Sequence, residues 1–315
     1  MALPGGDNHL ARLAEVKPRV VLLDATRVDG SPLHVSRRLV FVEGWTLSSE
    51  DPEFGGISGL LAEEGDLLAV SDRGALIRLD GARIGTPVRA RIAPLPRGCG
   101  NPTLKIERDS ESIATDLRSG RYWVGFEWRN ALCVTGPGGH GGRIFRPRAL
   151  SDWPRTGGPE AMTRLTDGGL LVLAERPPGG GRDSPLLIFP NGDPAESPLA
   201  LRYRPPEGYR PTEVAELPDG SILVFHRQFR APARFRAILS ILPQTALRPG
   251  TVAEGRPLAL FMEPGLADNF EAIAIDWQGE DVFVWLASDD NFVSTQKTYL
   301  LKYRLLPVSG GGFFR

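Results

Sequence analysis

The sequence predicts an all-β chain folded as a single β-propeller of four-stranded blades. Three observations predict it. A short phrase recurs: a carboxylate, a small residue, an apolar residue, then a tight turn at glycine and a strand that ends in charge. The copies are spaced about as propeller blades are, near 40–50 residues. Gly (37) and Pro (28) are both abundant, as a chain of many turns and few helices requires.

Taken in order, strands are predicted at 19–24 and 38–47, ahead of the first copy. That copy, Gly56-Ile57-Ser58-Gly59, lacks the acid; it turns at Glu64-Gly65 and ends at Ser71-Asp72-Arg73. The second has Glu111, turns at Ser119-Gly120 and ends at Phe126-Glu127. The third has Glu160, turns at Asp167-Gly168 and ends at Glu175-Arg176. The fourth has Glu213, turns at Asp219-Gly220 and ends at His226-Arg227. The fifth has Glu271, turns at Gln278-Gly279 and ends at Asp289-Asp290-Asn291.

The apolar residues Ile57, Ile113, Met162, Val214 and Ile273 are 56, 49, 52 and 59 residues apart. Each copy reads as two strands joined by a tight hairpin turn, with room for two more strands before the next. Five copies are counted; a sixth, degenerate blade built from the first 50 residues is the alternative. The strand at 38–47 is expected to pair beside a late strand at 298–306 and close the ring. One domain then spans 1–315, with 1–18 and 308–315 as loose tails. Leu10 to Val16 is the best helix candidate, and it is short.

Composition is that of an ordinary globular chain: 41% hydrophobic and 24% charged over 315 residues. A net charge of −1 gives no general attraction to nucleic acid or anionic membrane. No apolar stretch is long enough to span a bilayer, and Met1 to Leu10 lacks the apolar core of a leader peptide, so the expectation is either a cytoplasmic protein or a mature form with a replaced leader. Cys99 and Cys133 are the only cysteines. They either pair in an oxidising compartment or remain two thiols; neither sits in a metal-ligand spacing. The glycine-rich runs at 136–142 and 177–183 lack the strand-to-helix context of a phosphate loop and read as hairpin loops.

The run Phe54-Gly55-Gly56-Ile57-Ser58-Gly59-Leu60, followed by Leu67 to Gly74, resembles the start of the phytase-like family called "esterase-like activity of phytase". The later Glu-small-apolar copies and the Ala174-Glu175-Arg176 ending are similar to the rest of that family, over roughly 50–305. The resemblance implies a propeller, hydrolysis of a small phosphorylated substrate, and a periplasmic or secreted location. The chain departs from the pattern at Ser110-Glu111-Ser112 and at Glu213, which is followed directly by Val214. No Gly-x-Ser-x-Gly elbow is present, and Ser58 reads as a small residue at a packed strand start.

In a propeller the first strand of each blade lines the axis, so equivalent residues form a ring. Glu111, Glu160, Glu213 and Glu271 are therefore expected at one mouth of the channel. The second strand returns to that mouth and brings Asp72, Glu127, Glu175, Asp289 and Asp290, with Arg73, Arg176, His226 and Arg227. Crowded carboxylates take up protons, pair with arginine or bind a cation. On the catalytic reading Glu111, Glu160, Glu213, Glu271 and His226 supply acid–base groups. Asp72, Glu127, Glu175 and Asp289 hold a divalent cation, and Arg73, Arg176 and Arg227 hold phosphate. Oxygen ligands favour Ca2+, ahead of Mg2+, over Zn2+. The other reading is a ring of Glu–Arg pairs in a non-catalytic propeller that binds a small ligand or partner protein. A monomer is expected on either reading.

Overall fold

The computed structural model describes residues 16–30, 35–63, 65–79, 88–230, 234–262, 268–308 and 313. The expected helix over Leu10 to Val16 lies almost wholly outside them. Among the described residues the only α-helical segment is the single turn Lys105–Arg108, and no helix is long and apolar enough to cross a membrane.

The chain opens with β1 (Arg19–Arg27) and β2 (Leu39–Ser48). The first unit is β3 (Ile57–Glu63), β4 (Asp66–Ser71), β5 (Ala75–Leu79) and β6 (Val88–Pro94). The second is β7 (Ser110–Asp116), β8 (Arg121–Phe126), β9 (Ala131–Thr135) and β10 (Gly142–Phe145). The third is β11 (Pro159–Arg164), β12 (Leu170–Ala174), β13 (Ser184–Phe189) and β14 (Leu199–Arg204). The fourth is β15 (Arg210–Glu216), β16 (Ile222–Arg230), β17 (Arg234–Leu242) and, after β18 (Val252–Glu254), β19 (Arg256–Phe261). The last is β20 (Phe270–Gln278), β21 (Asp281–Ser288) and β22 (Thr298–Leu305).

Neighbouring strands within each unit are antiparallel, while β18 adds to β14 in parallel. The inner strands β3, β7, β11, β15 and β20 touch in cyclic order, with β20 returning to β3. This closed ring of tilted sheets is a β-propeller. The chain's beginning closes it: β2 pairs with β22 along Leu39 to Leu47. β1 then bridges β2 and β6, so the last and first units share one nine-stranded sheet.

The cause is visible locally. The Asp-Gly turns work because Gly168 and Gly220 take positive φ (95° and 79°), while Asp167 and Asp219 accept hydrogen bonds from the amides two residues on. The strands after these turns are apolar on both faces, as sheets packed on both sides require. All five residues of β12 are buried. Trp45 of β2 stacks on Trp285 of β21 at 6.5 Å, which ties the closing strand to the core. Trp123 and Trp285 pack between sheets as expected, but Trp277, paired with Val282 beside the β20–β21 turn, is 59% exposed.

The tails differ from expectation where they are described. Val16 is buried. Phe313 is 7% exposed; its amide donates to Asp219 and its carbonyl accepts from Arg38. Cys99 and Cys133 form a disulfide that joins the loop after β6 to β9.

Candidate functional site

Each inner strand begins with a β-bulge. The register slips between Ile57 and Gly59, Ser110 and Ser112, Pro159 and Ala161, Pro211 and Glu213, and Phe270 and Ala272. The extra residue at each slip is re-aimed by the bulge. These residues are Ser58, Glu111, Glu160, Thr212 and Glu271. The same registers pair Ser71, Phe126, Ala174, His226 and Ser288 with the strand starts. The next residue of each second strand therefore forms an equivalent set: Asp72, Glu127, Glu175, Arg227 and Asp289. Residues two before the bulge make a third set, including Asp109, Arg210 and Asn269.

The acids at these positions act on one another. Burial, then Glu160, Asp109, Glu127 and Asp72, raise the Glu111 carboxyl well above its ordinary value. Glu160 is raised by burial, then by Glu127 and Glu175. Glu160 donates to Glu127, whose own carboxyl is pushed to about 7, chiefly by burial and Asp109. Asp289 is raised by burial and then by Asp72. Oxygens of Asp109, Glu111 and Glu127 all lie within 4.8 Å of one another. Asp72 is also raised, mainly by burial, and its buried Oδ1 accepts no hydrogen bond among the described residues.

Basic side chains answer part of this charge. Lys105 Nζ donates to Asp72 Oδ2 at 2.8 Å and Asp109 Oδ1 at 3.1 Å. Arg227 pairs with Glu271 and donates to Asn269 Oδ1 at 2.6 Å. Asn269 also donates to Glu271 and Asp289. Glu175 takes Arg176 at 2.8 Å, with Arg227 at 3.6 Å and Arg210 at 3.8 Å. Glu127 Oε1 accepts from the Gly157 amide at 2.6 Å. Among the described residues no ion pair reaches Glu111.

Loop backbone shapes the rim. Asp290 accepts from the amides of Gly56 and Phe292 and from Thr298 Oγ1. It thereby holds Asn291 and Phe292 at positive φ (49° and 51°). The Phe292 ring lies against Gly56, where a Cβ would also meet Asp72 Oδ1 at 2.5 Å, so only glycine fits. Arg73 stacks on Phe292 with its guanidinium carbon 3.4 Å from the ring centre and donates to the Pro52 carbonyl. Further along the inner strands the axis is apolar. Leu60, Ile113, Met162, Val214 and Ile273 border a cavity of about 170 Å3.

Two expected members stand apart. Glu213 occupies the position of Ala161 and Ala272, one residue past the bulge, so its side chain points to the opposite face. It is 1% exposed, and its Oε1 accepts from the Met162 amide on the neighbouring unit and from Val214. Burial raises this carboxyl well above the usual range. His226 is fully buried one position before the rim, hydrogen-bonded to Tyr203 Oη at 2.7 Å and to the Ile238 carbonyl at 3.0 Å. Burial lowers its pKa to about 4. Both ring nitrogens are engaged inside the sheets, so His226 has no access to a substrate at the rim.

With this geometry in view, comparison with known proteins is decisive at the family level. A model of the phytase-like family, described as "esterase-like activity of phytase", matches residues 52–292. The chain belongs to this family. No curated protein matches it. Among solved structures it is similar to a putative gluconolactonase (11% identity, TM-score 0.47, covering 94% of this chain and 95% of that one). It is also similar to the major allergen Mala s 1 of Malassezia sympodialis (12% identity, TM-score 0.47, 92% and 96%). A third is the PQQ-bound aldose sugar dehydrogenase of Streptomyces coelicolor (13% identity, TM-score 0.42, 89% and 98%).

The phytase-like chain also brings residues to the mouth that sequence reasoning passed over. Asp109 and Asn269 sit two residues before Glu111 and Glu271, so the repeat itself carried that signal. Lys105 belongs to a helical turn with no counterpart in the other copies among the described residues, and nothing in the repeat pointed to it.

Proposed function

We propose that the carboxylate-rich mouth is the site of a metal-assisted phosphoester hydrolase. The observation that carries the reading is a buried group of carboxylates at equivalent bulge and strand-end positions, only partly answered by Lys105, Arg176, Arg210 and Arg227. Family membership supports it.

The donor set fits a hard divalent cation. Asp109, Glu111 and Glu127 present only oxygen, closely grouped, and Asp72 adds an oxygen without a hydrogen bond; Ca2+ suits such ligands, ahead of Mg2+. A bound cation would offset the mutual repulsion of these acids and polarise a phosphoester oxygen. Arg176 and Arg227 border the same group and would face the remaining phosphate oxygens. Glu160, which donates to Glu127, would hold that ligand in place. The disulfide suits a periplasmic or secreted location.

A second reading has its own support. Lys105 and Arg227 each bridge two carboxylates across units, as a non-catalytic propeller that binds a small ligand or partner would use them. A panel of phosphomonoesters and phosphodiesters, assayed with Ca2+ and with Mg2+, separates the two. Turnover that falls at least tenfold in Glu111→Gln and persists in Glu213→Gln supports the hydrolase. No turnover with either ion leaves the binding propeller.

A further inference from the structure

The mouth is electrically lopsided. Arg227 stands where the other units place Asp72, Glu127, Glu175 and Asp289, and Arg210 stands where the second unit places Asp109. Arg176 follows Glu175 on the adjacent unit. All three guanidiniums converge on Glu175, whose side chain is 5% exposed. One carboxylate cannot balance three guanidiniums, and Glu271 answers only Arg227.

The uncompensated side faces outward. Arg176 and Arg210 are 42% and 49% exposed. Both line a cleft of about 760 Å3 between the third and fourth units, together with Glu175, Arg182, Glu207 and Tyr209. That volume is in the range of small-molecule sites. Three arginines against Glu175 and Glu207 leave the cleft positive where it meets the acid ring. The guanidinium fork matches a carboxylate or phosphate in two parallel hydrogen bonds.

We propose that this cleft is an anion subsite: the molecule held at the ring carries a second phosphate or carboxylate, which seats between Arg210, Arg176 and Arg182. The inference rests on reading the ring as a phosphoester site, and it narrows the substrate to an ester with a second anionic group.

The test is calorimetric titration of the full chain with inorganic phosphate in EDTA, so that no cation takes part. Saturable binding, weakened at least tenfold in Arg210→Ala and in Arg182→Ala but retained in Glu111→Gln, is expected. Both arginines are exposed, so their removal leaves the core intact. Turnover adds the second arm. The preference for 3-phosphoglycerate or fructose 1,6-bisphosphate over phenyl phosphate should shrink at least tenfold in Arg210→Ala, and the better of the two identifies the anion. Phosphate binding indifferent to both arginine substitutions, or lost in Glu111→Gln alone, overturns the subsite. Arginine-dependent phosphate binding without any ester turnover keeps the subsite and removes the hydrolase.

Discussion

Replacing His226 with glutamine should change how the protein responds to acid. The imidazole titrates near 4 when folded, against an ordinary 6.5. Between those values the unfolded chain takes a proton that the folded chain refuses. The stability of the neutral buried ring is therefore complete above about 6.5 and is lost as pH falls toward 4, by up to about 3 kcal/mol. His226→Gln should flatten that loss, seen as parallel urea titrations at pH 7 and pH 4.5; an unchanged acid slope would contradict the assignment. Glu213 has the opposite sign. Its folded pKa is raised, so its contribution is present below the unfolded value and is lost as pH rises through the folded one. Glu213→Gln keeps an oxygen for the Met162 amide and removes the ionisation, so the variant should gain relative stability at alkaline pH in thermal melts. Both residues show where sequence reasoning slipped. Glu213 directly precedes Val214, whereas Glu111, Glu160 and Glu271 stand two residues before Ile113, Met162 and Ile273, so Thr212 rather than Glu213 is level with them. A single residue of offset sends a strand side chain to the other face. His226 precedes the rim residue Arg227 by one position and lies level with Phe126 and Ala174, which are core positions.

Among the elements, β2 carries the closure of the ring. Its pairing with β22 was legible because apolar strands stand at both ends of a repeat that must join itself. The second role of the N-terminal stretch was not legible. β1 joins two sheets edge to edge, and which edges lie free depends on the assembled ring. Trp45→Ala should cost about 3–5 kcal/mol, as for other large-to-small core changes, and should lower the whole cooperative transition in urea denaturation. Loss of one local phase alone would mean that β2 is an accessory strand. The disulfide is a second element-scale case. Two isolated cysteines 34 residues apart do not reveal pairing in sequence, because the contact depends on how two loops of different strands meet. Its chain-entropy contribution is about 3–4 kcal/mol for a loop of this length. Reduction, or the Cys99→Ala/Cys133→Ala pair, should lower the urea midpoint accordingly; an unaltered midpoint under reducing conditions would show that the bond adds nothing.

At the scale of the whole molecule, five inner strands deliver their first residues to one axis, and repetition multiplies whatever each copy carries. Three copies carry a glutamate at the bulge and four carry an acid at the second strand's end, so charge accumulates where the sheets converge. That convergence was legible from the repeat. Which acids find cations was not, because Lys105 arrives on the helical turn and Arg227 reaches across units. Glu111 is the clearest unbalanced member: its electrostatic neighbours are Glu160, Asp109, Glu127 and Asp72. The central claim, that this excess is a cation site, is tested most directly by thermal unfolding of the wild type and Glu111→Gln across a Ca2+ titration. The wild type should gain about 2.7 kcal/mol at a hundredfold excess over the dissociation constant. Glu111→Gln should be the more stable of the two without metal, because one repelling carboxylate is gone, and should lose most of the Ca2+ response. A wild type whose melting temperature ignores Ca2+ and Mg2+ throughout, with Glu111→Gln no more stable than wild type in EDTA, would contradict the claim.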